Sequence, residues 1–538
     1  MTDAPRTDGP LPPAPSVPAT SAGGIGLSRR SAALVVTGIV LGLLMGSLDQ
    51  FVVLTALPKI VSDLGQSNGV TFVVSAYLVA TTIAVPIFAK LSDTLSRRNV
   101  FLVGLGIFIA GSTLAGLSQN LGELIIFRGI QGFGSGCFFP VGIGIIAYVF
   151  DPATRARLTG ALSGVFGIAT VGGPFLGSFI VDHVTWRWVF YVNIPIGLLG
   201  MAILAASLGP LRPARRSPFD IPGAAMLAVW VGALTYALYQ VSNAGWAWTD
   251  PRILGLLGLS VAVFAVFVVF ELRQENPVVP LRLFRDRTIA LGGSISFLSR
   301  SVVFSLLTFL AVYVGVVLLQ DGPGSADTVR DVLWFLVIPM IIGSVFGGQH
   351  VTRVPYRPLV GAGMALIVLG MFGLTSVTST TPVWRFAFGF LPNGGIVLPL
   401  IPIGVGLGLS LGPSTLMVQY RVPPKDVGAA TGLVQFLGTL GASIGLSVFA
   451  SYQNWRYQLT APAPPPAACA VVPPPGSCGP VLASYHTRVL GELSASYANL
   501  FTVMLVLAIG ALVLSLFLQG RMPKKVLSDD GPGLVAAK

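Results

Sequence analysis

Two charged residues stand where this chain places almost none. Asp49 lies in Leu48-Asp49-Gln50-Phe51 and Arg128 in Arg128-Gly129-Ile130-Gln131-Gly132-Phe133-Gly134, each inside a long apolar run. No other acidic residue falls near the middle of such a run. An arginine that deep is costly in lipid, so it must face the protein interior and find a partner. On a helix, Gln131 and Gly132 share its face at i+3 and i+4. A carboxylate removed from water favours its protonated form, whereas a neighbouring guanidinium favours the ionised one. A group poised between those conditions binds and releases a proton as its surroundings alternate. The pair reads as a proton-coupling site, with a static interhelical ion pair as the alternative.

Composition dictates the elements that hold these residues. The chain has 538 residues, 53% hydrophobic and 10% charged, with a mean hydropathy of +0.82. A soluble domain carries about 25% charged residues, so a water-soluble globule is excluded. Extended disorder needs low hydrophobicity and is excluded with it. The apolar runs are continuous over about 20 residues, the length of a membrane-crossing helix, and lack the alternation of barrel strands. The fold class is therefore an all-α polytopic membrane protein. Fourteen spans are expected near 33–56, 69–88, 99–118, 121–148, 158–181, 188–208, 222–241, 252–271, 289–319, 331–349, 358–377, 386–418, 428–452 and 498–518.

Basic residues fix the sidedness. One set of alternate connections, with the N-terminal tail and the segment after the last span, holds 22 Lys and Arg; the other set holds seven. Positive residues stay inside, so both termini fall in the cytoplasm, as an even number of spans requires. The net charge of +12 thus reflects membrane anchoring rather than nucleic-acid binding. Residues 1–30 form a disordered tail without a cleavable signal peptide, and 520–538 a second tail. Between them come spans 1–6 (31–208), spans 7–8 with their linkers (209–288) and spans 9–14 (289–519).

The outside segment 453–497 is expected to be extended, because Pro462, Pro464–Pro466 and Pro473–Pro475 crowd it. Cys469 and Cys478 lie within it on the oxidising side and are candidates for a disulfide, with two free thiols as the alternative. Cys137, inside span 4, reads as a small packing residue. The histidines, His183, His350 and His486, sit in or near different loops. No metal-ligand set or nucleophile constellation forms, which argues against an enzyme. No Walker A sequence is present, so no nucleotide or other cofactor is expected.

Other motifs sit between and within the spans. Asp93, Arg97 and Arg98 occupy the short connection of spans 2 and 3; they either latch one of two rocking states or form a plain positive-inside anchor, the reading that composition alone favours. In span 5, Gly172-Gly173-Pro174 and Gly177 form a small-residue face permitting close helix approach, and Pro174 can kink the span. Trp186-Arg187-Trp188 precedes Asn193-Ile194-Pro195-Ile196-Gly197 at a membrane interface.

Together these residues resemble the major facilitator superfamily, in particular its 14-span drug:proton antiporter branch. The 89–98 connection is similar to the family's cytoplasmic Gly-x-x-x-Asp-x-x-Gly-Arg-Arg/Lys signature, with Ala89 and Ser96 in place of its glycines. Arg128 to Gly134 resembles the Arg-x-x-Gln-Gly-x-Gly element linked to proton transfer. Gly172-Gly173-Pro174 with Gly177 resembles the fifth-span antiporter motif, and Leu48-Asp49 with Ala56-Leu57-Pro58 the first-span motif of the branch. Gly438 stands where many members carry an arginine.

The resemblance implies two six-helix bundles with spans 7 and 8 inserted, and alternating access around a midplane cavity. It implies proton-driven multidrug efflux, with lipophilic small molecules and protons as partners in the lipid bilayer of the cell membrane. Candidate cavity residues are Gln50, Gln131, Tyr236, Arg300, Tyr313, Asn393, Gln419 and Gln435. Arg300 either attracts an anionic or amphiphilic substrate or snorkels to the cytoplasmic end of its span. A lipid or glycolipid exporter, handing its cargo to an extracytoplasmic acceptor protein, is the competing reading within transport. A non-transporting receptor or scaffold is the reading from another class.

Overall fold

The computed structural model describes residues 28–518 except 65–69, 151, 210–217, 244–245, 319–324, 351–353, 377–393, 420, 423–426 and 464–478. Asn393, Cys469, Cys478 and both tails apart from residues 28–30 lie outside the described residues. All described regular structure is helical. In chain order the helices are α1 (Arg29–Leu64), α2 (Val70–Thr94), α3 (Arg97–Leu117), α4 (Leu121–Ser135), α5 (Phe138–Val149), α6 (Pro152–His183), α7 (Trp188–Tyr191) and α8 (Asn193–Ser207). There follow α9 (Ile221–Asn243), α10 (Pro251–Arg273), α11 (Arg287–Val312), α12 (Ser325–His350), α13 (Tyr356–Leu374), α14 (Gly394–Gln419), α15 (Val427–Thr460) and α16 (Gly479–Leu516).

Over their described residues, all fourteen apolar runs are helical. Two are broken, and proline chemistry accounts for both. Span 4 divides into α4 and α5 at Gly136-Cys137, because Pro140 cannot donate the hydrogen bond that Gly136's carbonyl would receive in a continuous helix. Span 6 divides into α7 and α8 around Val192, where Pro195 withholds the same bond from Tyr191. The proline in span 5 does not interrupt its helix: α6 runs unbroken through Pro174.

The flanks of segment 453–497 are helical where the sequence predicts an extended loop, while its Pro-rich middle, 464–478, lies outside the described residues. α15 continues to Thr460, and α16 begins at Gly479 with Pro480 in its first turn, where a missing N–H costs nothing. Between Pro480 and Leu516 the sequence holds no proline and is rich in Ala, Leu and Ser, so nothing stops the helix.

Packing sorts the helices into two groups. α1 packs on α6 and α8, while α4 packs on α2 and α3. In the second half α14 lies between α12 and α13, and α11 packs on α15 and α16. Among the described residues one large buried cluster is built from residues 295–518 with Phe51, two others from residues 35–208, and a further one joins Val85 to residues 227–440. α9 and α10 pair with each other, and α9 reaches α2 and α15. α10 is peripheral, with Leu254, Val261 and Val266 exposed and suited to contact lipid.

Glycines set the closest approaches. A Cβ on Gly132 would lie 2.3 Å from the carbonyl oxygen of Tyr77, a backbone atom on α2. One turn earlier on α4, a Cβ on Gly129 would meet nothing within 4 Å. Gly132→Ala is therefore expected to destabilise the fold by about 1–3 kcal/mol through overpacking, whereas Gly129→Ala should be neutral or slightly stabilising. Thermal unfolding in detergent checks the contrast; equal midpoints for the two variants would disprove the close contact.

Candidate functional site

The start of α4 fixes the depth of Arg128. Asn120 caps the helix by accepting from the Glu123 N–H at 2.9 Å, and Glu123 accepts in return from the Gln119 N–H at 2.8 Å, a reciprocal cap of the kind that defines a helix N-terminus. Arg128 then lies two turns inside, buried, and donates from Nη1 to Asp49 Oδ2 on α1. The same nitrogen donates to Gln131 Oε1 at 2.9 Å. Gln131 Nε2 in turn donates to Asp49 Oδ1 at 2.8 Å. The structure thus brings together the three residues that the apolar runs singled out.

Four further helices complete the enclosure. Asn193, the first residue of α8, donates to Asp49 Oδ1 at 3.0 Å and to Ser112 Oγ at 3.0 Å. Ser112 on α3 passes its own hydrogen to the carbonyl of Phe190 on α7, 2.8 Å away. The Arg128 guanidinium lies over the Tyr77 ring of α2, 4.2 Å from its centroid, a favourable cation–π geometry. Tyr77 is anchored through its hydroxyl, which donates to the Gly46 carbonyl at 3.1 Å. Asp49, Arg128, Gln131, Ser112 and Asn193 are all at most 2% exposed. The carboxylate is sealed inside the N-terminal bundle, and both of its oxygens accept hydrogen bonds.

A partly open cavity lined by residues of both helix groups lies beside this network. Tyr77 belongs to both, since it also lines the cavity together with Gln50, Arg300 and Gln435. Gln50 Oε1 is buried in the wall without a hydrogen-bond partner. The other candidates lie elsewhere. Gln131 belongs to the Asp49 network, and Tyr236 is exposed on α9, accepting from its neighbour Gln240. Tyr313 packs on α16 through Ser494, Tyr497 and Phe501, and Gln419 is buried without a partner for its amide, away from the cavity lining.

The 89–98 connection joins the helix groups at one end of the molecule. Arg97 pairs with Asp93 at 3.2 Å and donates to the Gly144 carbonyl at 2.7 Å, while Arg98 donates to the Ala205 carbonyl at 2.8 Å. Asp93 reaches across to the first turn of α15, where its Oδ1 lies 3.1 Å from the position of a Cβ on Gly428. Ala89 sits closer still to Gly432, its Cβ 2.6 Å from the position of a Cβ there. The two non-glycine positions are accommodated without strain: Ser96 has φ −63° and ψ 118°, open to any residue. In α6, Gly173 meets α1, since a Cβ there would lie 2.4 Å from the Phe51 Cβ, while Gly172 faces Leu48 more loosely. Gly177 is buried on the same helix.

A second acidic pair escaped the sequence reading. Glu271, near the end of α10, is fully buried, and its carboxylate converges with that of Asp220 on Gly223. Asp220 also caps the start of α9 by accepting from the Gly223 N–H at 2.9 Å. The Phe219-Asp220-x-x-Gly223 spacing is the signal that could have shown this cap.

A sequence model of the Major Facilitator Superfamily matches residues 39–446. The chain belongs to the major facilitator superfamily. As a member it is a transporter and not an enzyme, carried by a multi-pass membrane fold. It is similar to the multidrug transporter protein MdtP of Bacillus subtilis, with 34% identity over 430 residues, covering 80% of this chain and 76% of that one. It is also similar to the tetracenomycin C resistance and export protein of Streptomyces glaucescens, with 31% identity over 417 residues and 76% and 74% coverage. Among solved structures, the proton:xylose symporter XylE aligns with a TM-score of 0.58 at 13% identity, over 93% of this chain and 98% of that one, which shows the shared fold. In this superfamily member the enclosed charge pair lies within the first group of helices and the cavity between the two groups.

Proposed function

We propose that this transporter is a proton-coupled antiporter that exports lipophilic or amphiphilic compounds across the cell membrane, with both termini in the cytoplasm. The observation that carries the proposal is the enclosure of Asp49 against Arg128, Gln131 and Asn193 beside the cavity. In this cycle Asp49 leaves Arg128 when it takes a proton from outside, and returns to it when the proton passes to the cytoplasm. Tyr77, shared between network and cavity, is the side chain through which a substrate and the charge pair can sense each other. The similarity to a Bacillus multidrug transporter and a Streptomyces tetracenomycin C resistance and export protein supports drug efflux as the physiological task.

The cytoplasmic latch favours one of the two rocking states. Asp93 places negative charge on the first turn of α15, where a helix dipole is positive. Opening toward the cytoplasm breaks that contact, and proton binding at Asp49 supplies the driving force for the exchange between states.

Substrate-induced proton release from the purified protein tests the reading. A pH-sensitive dye is expected to report release on addition of compounds from a panel of lipophilic cations, anions and lipids. If no compound releases a proton, and none moves under an imposed pH gradient in proteoliposomes, the proton-antiport reading fails.

A further inference from the structure

The cavity wall is apolar over most of its extent, contributed by Leu43, Phe138, Val303, Leu307 and their neighbours. Among the described residues lining it, Arg300 is the one charged side chain, and no carboxylate is present. Arg300 lies 13 residues from the start of α11, about 20 Å along the helix axis at 1.5 Å per residue. It is therefore at mid-depth, and its head does not snorkel to the helix end. Its Nη2 donates to Gln435 Oε1 on α15 at 2.8 Å, and none of the ion pairs among the described residues involves it. Space for it is provided by Gly438, where a Cβ would lie 2.6 Å from Arg300 Cδ. A guanidinium stays protonated at any physiological pH and offers five N–H donors; one amide oxygen leaves most of that capacity, and all of the charge, unanswered.

We infer that the cavity is built for amphiphiles bearing a single anionic headgroup, a carboxylate or a phosphate ester, whose charge pairs with Arg300 while an apolar body lies along the Phe138–Val303–Leu307 wall. This rests on the exporter reading above and narrows it, since lipophilic cations would meet an uncompensated positive charge. Such headgroups can come from a soluble amphiphilic acid or from an anionic bilayer lipid, and both present the same oxygens to the fork of an arginine.

Binding to the purified transporter in nanodiscs of zwitterionic lipid tests the inference. Dansyl-undecanoic acid, its methyl ester and the amine of the same chain length share one apolar body and differ in headgroup charge. The acid is expected to bind about tenfold tighter than the ester, the scale of a charge-assisted hydrogen bond, and the amine more weakly than either. The acid-to-ester ratio should fall to near one in Arg300→Gln and persist in Arg300→Lys, which keeps the charge. A ratio near one in the wild type, or an unchanged ratio in Arg300→Gln, would overturn the inference; should Arg300→Gln not fold, the wild-type and Arg300→Lys ratios decide it alone. Displacement of the acid by phosphatidylglycerol added to the nanodiscs assigns the headgroup to a lipid. Displacement by palmitate but not by phosphatidylglycerol assigns it to a soluble acid. Gradient-driven movement of the ester in proteoliposomes without any preference for the acid would sink this inference and leave the exporter reading standing. A preference without any gradient-driven flux would do the reverse.

Discussion

Asp49→Asn is expected to abolish proton-gradient-driven export, by a hundredfold or more, while substrate still binds in the cavity. The amide has nearly the shape of the carboxyl and can keep the hydrogen bond that Asn193 donates to Oδ1, but it carries no titratable proton. The cost to the fold must be separated from the cost to coupling, because the substitution leaves Arg128 buried without its anion. Removing one partner of a buried ion pair costs about 3–5 kcal/mol, whereas replacing both by neutral groups is often close to neutral. Arg128→Gln should therefore lower thermal stability as Asp49→Asn does, and the double variant should recover most of the loss. Export is the discriminating quantity: the double variant is expected to be folded, to bind substrate and to remain uncoupled. If it regained gradient-driven transport, the pair would be a structural clamp and the proton would travel elsewhere.

The legibility of that pair in the sequence has a physical cause. In a run of lipid-embedded residues a charge has few tolerable positions, so Asp49 and Arg128 could be matched to each other before any geometry was known. Their surroundings could not be read in this way. Asn193 reaches Asp49 only because the helix restarts at that residue behind the break imposed by Pro195. Ser112 and Tyr77 are of types common in membrane helices, where they pack or bond locally without further consequence. The fourteen helices were legible because hydropathy and length suffice to define them. The faces they turn inward were not. A soluble helix marks its inner face by an apolar stripe, but in a helix that is apolar all round the stripe vanishes. That is why Tyr236 on α9 and Tyr313 on α11's distal end sit away from the cavity while Arg300 and Gln50 line it. The helical extension of α15 and α16 beyond the bilayer was missed for a related reason: the prolines that suggested an extended loop are confined to its middle.

Cross-linking α2 to α15 at the latch is expected to arrest transport completely and reversibly. A Cβ on Gly432 would lie 2.6 Å from the Cβ of Ala89, closer than the separation of about 3.8 Å that a disulfide adopts. An Ala89→Cys/Gly432→Cys pair therefore needs the helices to part by about an ångström rather than to approach, and should oxidise readily in the state described. The background is favourable: Cys137 is fully buried, and Cys469 and Cys478 can be replaced by serine. In the proposed cycle, opening toward the cytoplasm requires the end of α2 to leave the start of α15, a separation the covalent bond forbids. Oxidised protein should bind substrate yet show no gradient-driven flux, and a reductant should restore it. The two single-cysteine variants, treated identically, control for the added side chains. Flux that persists at the uncross-linked rate after full oxidation would mean that the α2–α15 contact does not open during the cycle, and that the Asp93 latch has no part in alternating access.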